Sequence, residues 1–168
     1  MKNLEQEIHL KPLTDNDVDI FSKWLDKEYI HKWFCPENDA KKEDWLDEIN
    51  DRSGEHNFIR HFIVYFGGEK IGFCQYYDCY HVKDELGIIC EKNHTFGIDF
   101  LIGETEYLGK GIGKLIIKKL EEKIAEVGGQ EIFADPGIGN MLSVKTLLSN
   151  GFVRISDEDY RKKINLIL

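Results

Sequence analysis

The sequence predicts an α/β fold built around a mixed sheet, and three observations support that prediction. Strand-like segments precede, separate and follow the helical patterns along the 168 residues, an order that suits one α/β layer arrangement. Two apolar runs flank Gly67-Gly68, a strong signal for an antiparallel hairpin. Later, an apolar strand runs into a turn with alternating glycines and then into a helical pattern. That strand, turn and helix order suits the binding of phosphate at a helix N-terminus.

The elements follow in chain order. Alternation over residues 8–13 reads as a first strand. A helix is expected over 15–26 with Thr14 as its N-cap. Asp17, three residues on, completes a capping-box pattern, and Asp15 adds a second acid to the positive first turn. An aromatic segment at 29–34 precedes a second helix near 40–51. The hairpin strands span 58–66 and 70–77, whereas residues 78–93 are polar, mixed and carry no clear period. A strand over 94–102 enters the glycine turn, and the helix beyond it reaches about Val127, where Gly128-Gly129 ends it. A strand at 131–134, a helix at 140–150 and strands at 152–155 and 160–168 close the chain.

Length and composition fit one domain over residues 1–168, with 42% apolar residues and few prolines. No run approaches the ~18 apolar residues of a membrane helix, so no membrane partner is expected. The first residues lack the apolar core of a signal peptide, which makes cytoplasm the expected location. Cys35, Cys74, Cys79 and Cys90 form no Cys-x-x-Cys pair and are expected as reduced core or surface thiols. A net charge of −9, from 31 acidic against 22 basic residues, argues against nucleic acid, which needs a basic face. A negative field favours cationic substrates, although acidity also serves solubility alone. His56, His61, Cys90 and His94 match no standard zinc spacing, and no metal is expected.

Leu108, Gly109, Lys110, Gly111, Ile112, Gly113 and Lys114 make up the turn. Bare glycine backbone lets several N–H groups converge on one anion, and the helix start adds unpaired N–H groups and the positive end of its dipole. Lys110 and Lys114 can meet phosphate charge. The spacing is neither a Walker loop nor a dinucleotide fingerprint, and it comes late in the chain. That leaves a different phosphate ligand, or a glycine turn with no ligand.

Residues 100–115, which include Phe100, Leu101 and Ile102, resemble the acetyl-CoA signature of the GNAT superfamily of N-acetyltransferases. Ala134-Asp135-Pro136 at a strand end, then Asn140 and a helix leading to Ser149-Asn150-Gly151-Phe152, match its second landmark. Leu10-Lys11-Pro12-Leu13-Thr14, Lys23-Trp24-Leu25, residues 71–77 and Gly97-Ile98-Asp99 look, within that family, like the aminoglycoside 6′-N-acetyltransferases. The resemblance implies a seven-stranded, largely antiparallel sheet with helices on both faces. It also implies acetyl-CoA as co-substrate, a small and cationic amine acceptor, no metal, and a monomer or homodimer.

Residue roles carry over in the same terms. Asp99 matches the aspartate assigned as base, and the alternative is a solvated strand charge. Residues 100–102, the turn and Asn140 match the cofactor-binding positions, although Asn140 also reads as a helix N-cap. Gln75, Tyr76, Asp99 and Asp135 match the acceptor side. Asp135 reads equally as a cap for the next helix, and one of Tyr76 and Tyr77 should point away. Trp33, with Tyr29 and Phe34, falls where one wall of the acceptor site is expected, or simply in the core. Acids of the 78–93 loop (Asp78, Asp84, Glu85, Glu91) either join that site or are solvated. Leu147 stands where the family often has a proton-donating tyrosine. The reaction expected is acetylation of an aminoglycoside 6′-amine, with a consequence for antibiotic resistance. The rivals are a polyamine, siderophore-precursor or protein N-terminal acetyltransferase, and an acyl-CoA-binding module without turnover.

Overall fold

The structure, a computed structural model, describes residues 3–164. In chain order the elements are α1 (Leu4–Glu7), β1 (Ile8–Pro12), α2 (Val18–Leu25), α3 (Glu28–Phe34), α4 (Lys42–Asn50), β2 (Ile59–Phe66), β3 (Glu69–Asp78) and α5 (Lys83–Leu86). Then follow β4 (Thr95–Ile102), α6 (Ile112–Glu126), β5 (Glu131–Ala134), α7 (Met141–Ser149), β6 (Val153–Arg154) and β7 (Tyr160–Lys163). The strands form a seven-stranded sheet in the order β1-β2-β3-β4-β5-β7-β6. Its neighbours run antiparallel except β4 and β5, so the expected mixed, largely antiparallel architecture is the one observed. The end of the expected 160–168 strand lies outside the described residues.

Alternation along the strands divides the core between two faces. Phe62, Val64, Cys74, Tyr76, Phe96 and Ile98 pack with Ile116, Leu120 and Ile124 of α6 and Leu147 of α7. On the other face Ile63, Phe73 and Leu101 pack with Phe21, Trp24 and Leu25 of α2, Ile30 of α3 and Ile49 of α4. Gly67 and Gly68 take φ +54° and +86°, the left-handed pair that a tight hairpin turn requires. The four cysteines are free thiols, and no helix among the described residues is long and apolar enough to cross a membrane.

Three local outcomes differ from the sequence expectation. The first expected helix opens as a 3-10 turn, Asp15–Asp17, before α2. The buried Asp17 carboxylate accepts from Thr14 N (2.9 Å) and Thr14 Oγ1 (3.1 Å), and Lys70 Nζ reaches its other oxygen at 2.6 Å. The capping residues therefore also anchor β3. The aromatic segment at 29–34 is itself a helix, α3. The 78–93 stretch folds as a 3-10 turn, Cys79–Val82, followed by the single turn α5, which Gly87 ends at φ +66°. Elements this short leave no hydrophobic period to read.

Candidate active site

Strands β4 and β5 pair only from Thr95↔Glu131 to Gly97↔Phe133. Beyond that point β4 runs on to Ile102, whereas β5 ends at Ala134, and the sheet splits open between them. Gly103 N donates to Ile71 O, while His94 O accepts from Gln130 N and Glu131 N. Odd positions of β4 therefore bond toward β3 and even positions face β5. The peptide groups of Ile98 and Phe100 thus point into the gap. Ile102 O, of the same parity, accepts from Tyr29 Oη at 2.7 Å.

The far end of the gap is held in place by α2 and α3. Trp24 Nε1 donates to Glu104 Oε1 (2.8 Å), and Lys27 Nζ donates to Gly103 O (2.5 Å). These bonds fix where β4 hands over to the glycine turn. Gly109 and Gly111 there take φ +72° and +76°, and a Cβ at either would meet nothing within 4 Å. Conformation, not crowding, demands glycine at both positions. Gly111 starts α6, and no side chain caps that end, so the N–H groups of Ile112, Gly113 and Lys114 are open to an anion. Gly113 differs: a Cβ there would meet Phe100 and Thr146 at 3.4 Å, an ordinary contact, so neither conformation nor crowding demands glycine at this position. Leu108, Lys110 and Lys114 are exposed, while Ile112 is buried and offers its backbone alone.

The gap itself is a small cavity of about 90 Å³ lined by Ile98, Asp99, Phe100, Ala134, Asp135, Asn140, Ser143 and Leu147, with Trp33, Phe34 and Trp45 above. Asn140 Oδ1 accepts from Ser143 N at 3.4 Å, so it is the N-cap of α7 as well as a cleft residue. Leu147 is buried on the wall. One turn earlier on the same helix, Ser143 also lines the cleft. A Cβ on Gly137 would lie 2.7 Å from the Trp33 ring, so glycine lets the loop after β5 pack flat against that ring. Phe34 and Trp45 rings lie 5.2 Å apart, and Trp45 Nε1 donates to Phe34 O at 2.8 Å.

On the other side of Asp99 opens a chamber of about 400 Å³. Its wall carries Asp44, Glu48, Glu55, Glu85 and Asp99, with Trp45, Phe58, Tyr77, His56 and His81 between them, and no Lys or Arg. Asp99 and Trp45 line both cavities. Within the chamber's reach, Gln75 Nε2 donates to Asp99 Oδ2 at 2.9 Å.

Desolvation dominates the electrostatics. Enclosure by protein pushes the Asp99 carboxyl up to about 6, against a partial downward pull from the Gln75 hydrogen bond. Crowding, then the Asp99 charge, pushes Asp135 up to about 7. Asp135 is nevertheless exposed at the cleft mouth, and water there limits that rise. Burial also raises Glu48, which the His56 charge draws down and the Asp99 charge raises again. A carboxyl near 6 is ionised at neutral pH and still basic enough to accept a proton.

The structure thus brings Asp99, Phe100, Asn140, Trp33, Gln75 and Asp135 together and separates two other expected residues from them. Tyr76 lies on the opposite sheet face, in the core beside Phe62 and Phe96. Strand alternation gives its place to Tyr77, whose ring crosses β4 where a Gly97 Cβ would be, 2.2 Å away. Leu101 is likewise turned into the core under α2, with its peptide on the β3 side. Of the 78–93 acids, Glu85 lines the chamber. Asp78 instead accepts from Tyr80 N and Asn93 N. Trp45, Glu48, Ser143 and His81 are site residues that sequence reasoning missed. Only the i, i+4 pair Asp44 and Glu48, with Trp45 between, hinted at a shared helix face. His56 pairs with Asp51 and His94 with Thr95, and among the described residues no group of three His, Cys, Asp or Glu is placed to hold a metal ion.

Comparison with known proteins agrees with this geometry. The family described as "Acetyltransferase (GNAT) domain" matches residues 14–159. An aminoglycoside N(6′)-acetyltransferase type 1 from Klebsiella pneumoniae is 24% identical over 160 residues, covering 90% of this chain and 77% of the relative. An aminoglycoside acetyltransferase solved with coenzyme A superposes with a TM-score of 0.76 at 21% identity, covering 93% of this chain and 94% of that one. A spermidine N-acetyltransferase from Vibrio cholerae, solved with CoA and spermine, superposes with a TM-score of 0.71 at 15% identity, over 95% and 96% of the two chains. The split sheet, the uncapped glycine turn and the family match across most of the chain lead to one conclusion: the chain belongs to the GNAT family of acetyltransferases.

Proposed function

We propose that the chain transfers acetyl from acetyl-CoA to a primary amine of a small polycation, with the 6′-amine of an aminoglycoside as the leading acceptor and Asp99 as the base. The observation that carries this reading is the position of Asp99 as the shared wall of a backbone-lined cleft and an acidic chamber. The turn from Leu108 to Lys114 holds the pyrophosphate on backbone N–H groups, and the pantetheine arm lies along the even positions of β4, toward Asn140. The acceptor enters the chamber, where Asp44, Glu48, Glu55 and Glu85 attract ammonium groups and Trp45, Phe58 and Tyr77 offer ring faces.

Transfer is then direct. Asp99 accepts a proton from the acceptor ammonium, and the freed amine nitrogen attacks the thioester carbonyl. The developing oxyanion meets the β4 peptide N–H groups that face the gap. As the tetrahedral centre collapses, the carbon–sulfur bond breaks, thiolate leaves, and the nitrogen gives up its second proton to solvent in the chamber. Leu147 has no proton to give. The Ser143 hydroxyl is the cleft group that can hydrogen-bond the departing sulfur, and a thiol pKa of ~8.5 makes unprotonated departure affordable. The enzyme is read as cytoplasmic, acting as a monomer or homodimer, with aminoglycoside resistance as the consequence of this acceptor choice.

A second reading keeps the donor chemistry and changes the acceptor to a linear polyamine, which the same acidic chamber and the spermidine N-acetyltransferase likeness favour. Thiol release from acetyl-CoA with a panel of amines separates the two. Release with kanamycin-type substrates, exceeding that with spermidine and with peptide N-termini, supports the first. The reverse order supports the second, and CoA binding without release for any amine leaves only a binding module.

A further inference from the structure

The acetyl-transfer reading uses Asp99 and leaves unexplained a row of polar groups buried beside it. His61 and Gln75 stand directly opposite in the β2–β3 register, as do Gln75 and Asp99 in the β3–β4 register. All three side chains project from the face that α2 and α4 cover. The neighbouring rows are Ile63, Phe73 and Leu101 on one side and Ile59, Tyr77 and Gly97 on the other. His61 is 6% exposed and Gln75 is 3% exposed. Both ring nitrogens of His61 and the Gln75 Oε1 atom are buried with no partner in the protein. Leaving such atoms unpaired forfeits their hydration with nothing in return, a loss that folded proteins ordinarily avoid.

The unpaired atoms are complementary. Side chains opposed across an antiparallel pair have Cβ atoms ~4.5–5.5 Å apart, within reach of an imidazole N–H and an amide oxygen. The Gln75 amide also has a choice to make. Its NH2 must face the Asp99 carboxylate, as it does at 2.9 Å, because the turned-over amide would set two oxygens against each other. A donor on Oε1 removes that choice.

We propose that His61 is a positioning residue for the transfer: its ring N–H closes onto Gln75 Oε1, locking the amide so that its NH2 holds Asp99 aimed at the acceptor amine. The proposal rests on reading Asp99 as the base. The imidazole suits the task because it is neutral, with one N–H and one lone pair. Burial holds it down to about 4, and the nearby charges of Arg52, His56 and Arg60 add to that effect. Asp99 in turn is faced by Glu48 of α4, by Tyr77 of β3 and by Asp135 beyond β5. None of these is hydrogen-bonded to Asp99 as Gln75 is.

His61→Phe keeps the ring and removes the donor. The expected result is a ~10-fold lower kcat and an acid limb of the kcat/KM profile moved up by ~0.5–1 pH unit, with acetyl-CoA affinity unchanged. His61→Gln, which restores an N–H, should recover most of both. The ring itself gives a readout that needs no turnover. Nitrogen NMR of His61 should report a neutral imidazole with a hydrogen-bonded N–H, and that signal should change in Gln75→Leu. A His61→Phe enzyme with the native profile, or a ring signal indifferent to Gln75→Leu, overturns the proposal. Full turnover in Asp99→Asn removes the base assignment and with it the positioning role, while the ring signal reports separately on whether the bond exists.

Discussion

The two halves of the site are built by opposite means. The half proposed to hold the donor is backbone: the splayed peptides of β4, two glycines at positive φ, and the uncapped start of α6, all within one contiguous stretch. The half proposed to take the acceptor is side chain: α4, the loop before β2, β3, the 3-10 turn after it, α5 and β4 each contribute one to three residues. Backbone donors survive almost any substitution except at the glycines. A chamber of carboxylates changes its preferred ligand with each residue replaced. The difference teaches that this architecture can keep its backbone half constant while its side-chain half changes.

The comparison can be broken at the junction residue first. Asp99→Asn should lower kcat ~100-fold or more while acetyl-CoA affinity, measured by calorimetry, stays near native. Equal losses in both would mean that the two halves are not separable. Next in size, Gly111→Val forces a β-branched residue to φ +76°. Acetyl-CoA affinity should fall ~10–30-fold, with little change in the acceptor dependence once cofactor saturates. Glu48→Gln addresses the chamber alone. A polycationic acceptor should show a ~5–10-fold higher KM with acetyl-CoA binding untouched, and added salt should shrink that difference.

The smallest effects concern pH. Because Asp99 sits near 6, kcat/KM should rise as pH rises through 6 and level off above it. The stability effect has the opposite sign. A carboxyl raised on folding favours the native state fully below its unfolded value near 4, and that contribution is lost as pH rises through about 6. The full shift corresponds to at most ~3 kcal/mol, reduced because Asp99 opens on a cavity that water enters. Melting temperature should therefore fall between pH 4.5 and 7.5, and Asp99→Asn should flatten part of that slope.

Legibility followed the same division. Gly109 and Gly111 announced their turn because a left-handed backbone restricts residue choice locally. Gly67-Gly68 and Gly128 were legible for the same reason, and the Thr14–Asp17 cap because its hydrogen bonds join residues three apart. Asp99 stood out as a charge among apolar neighbours on one strand. Trp45, Glu48 and His81 did not stand out, because an acid or aromatic in a short, polar element reads the same in sequence whether or not a cavity opens beside it. The choice between Tyr76 and Tyr77 was equally closed to the sequence. Alternation says that they point to opposite faces, but not which face holds the site.

The order of strands and helices, the glycine turn that suits a phosphate, and an isolated strand carboxylate follow from the sequence alone, since each depends on contacts within a few residues. Tertiary structure decided where β5 lets go of β4, which tyrosine faces the acidic chamber, and that four distant carboxylates share that chamber with Asp99. Those facts depend on register between strands and on packing of α3 and α4 over the sheet. Burial between segments far apart in the chain, and not local propensity, sets both the shape of that chamber and the elevated basicity of the carboxylate at its centre.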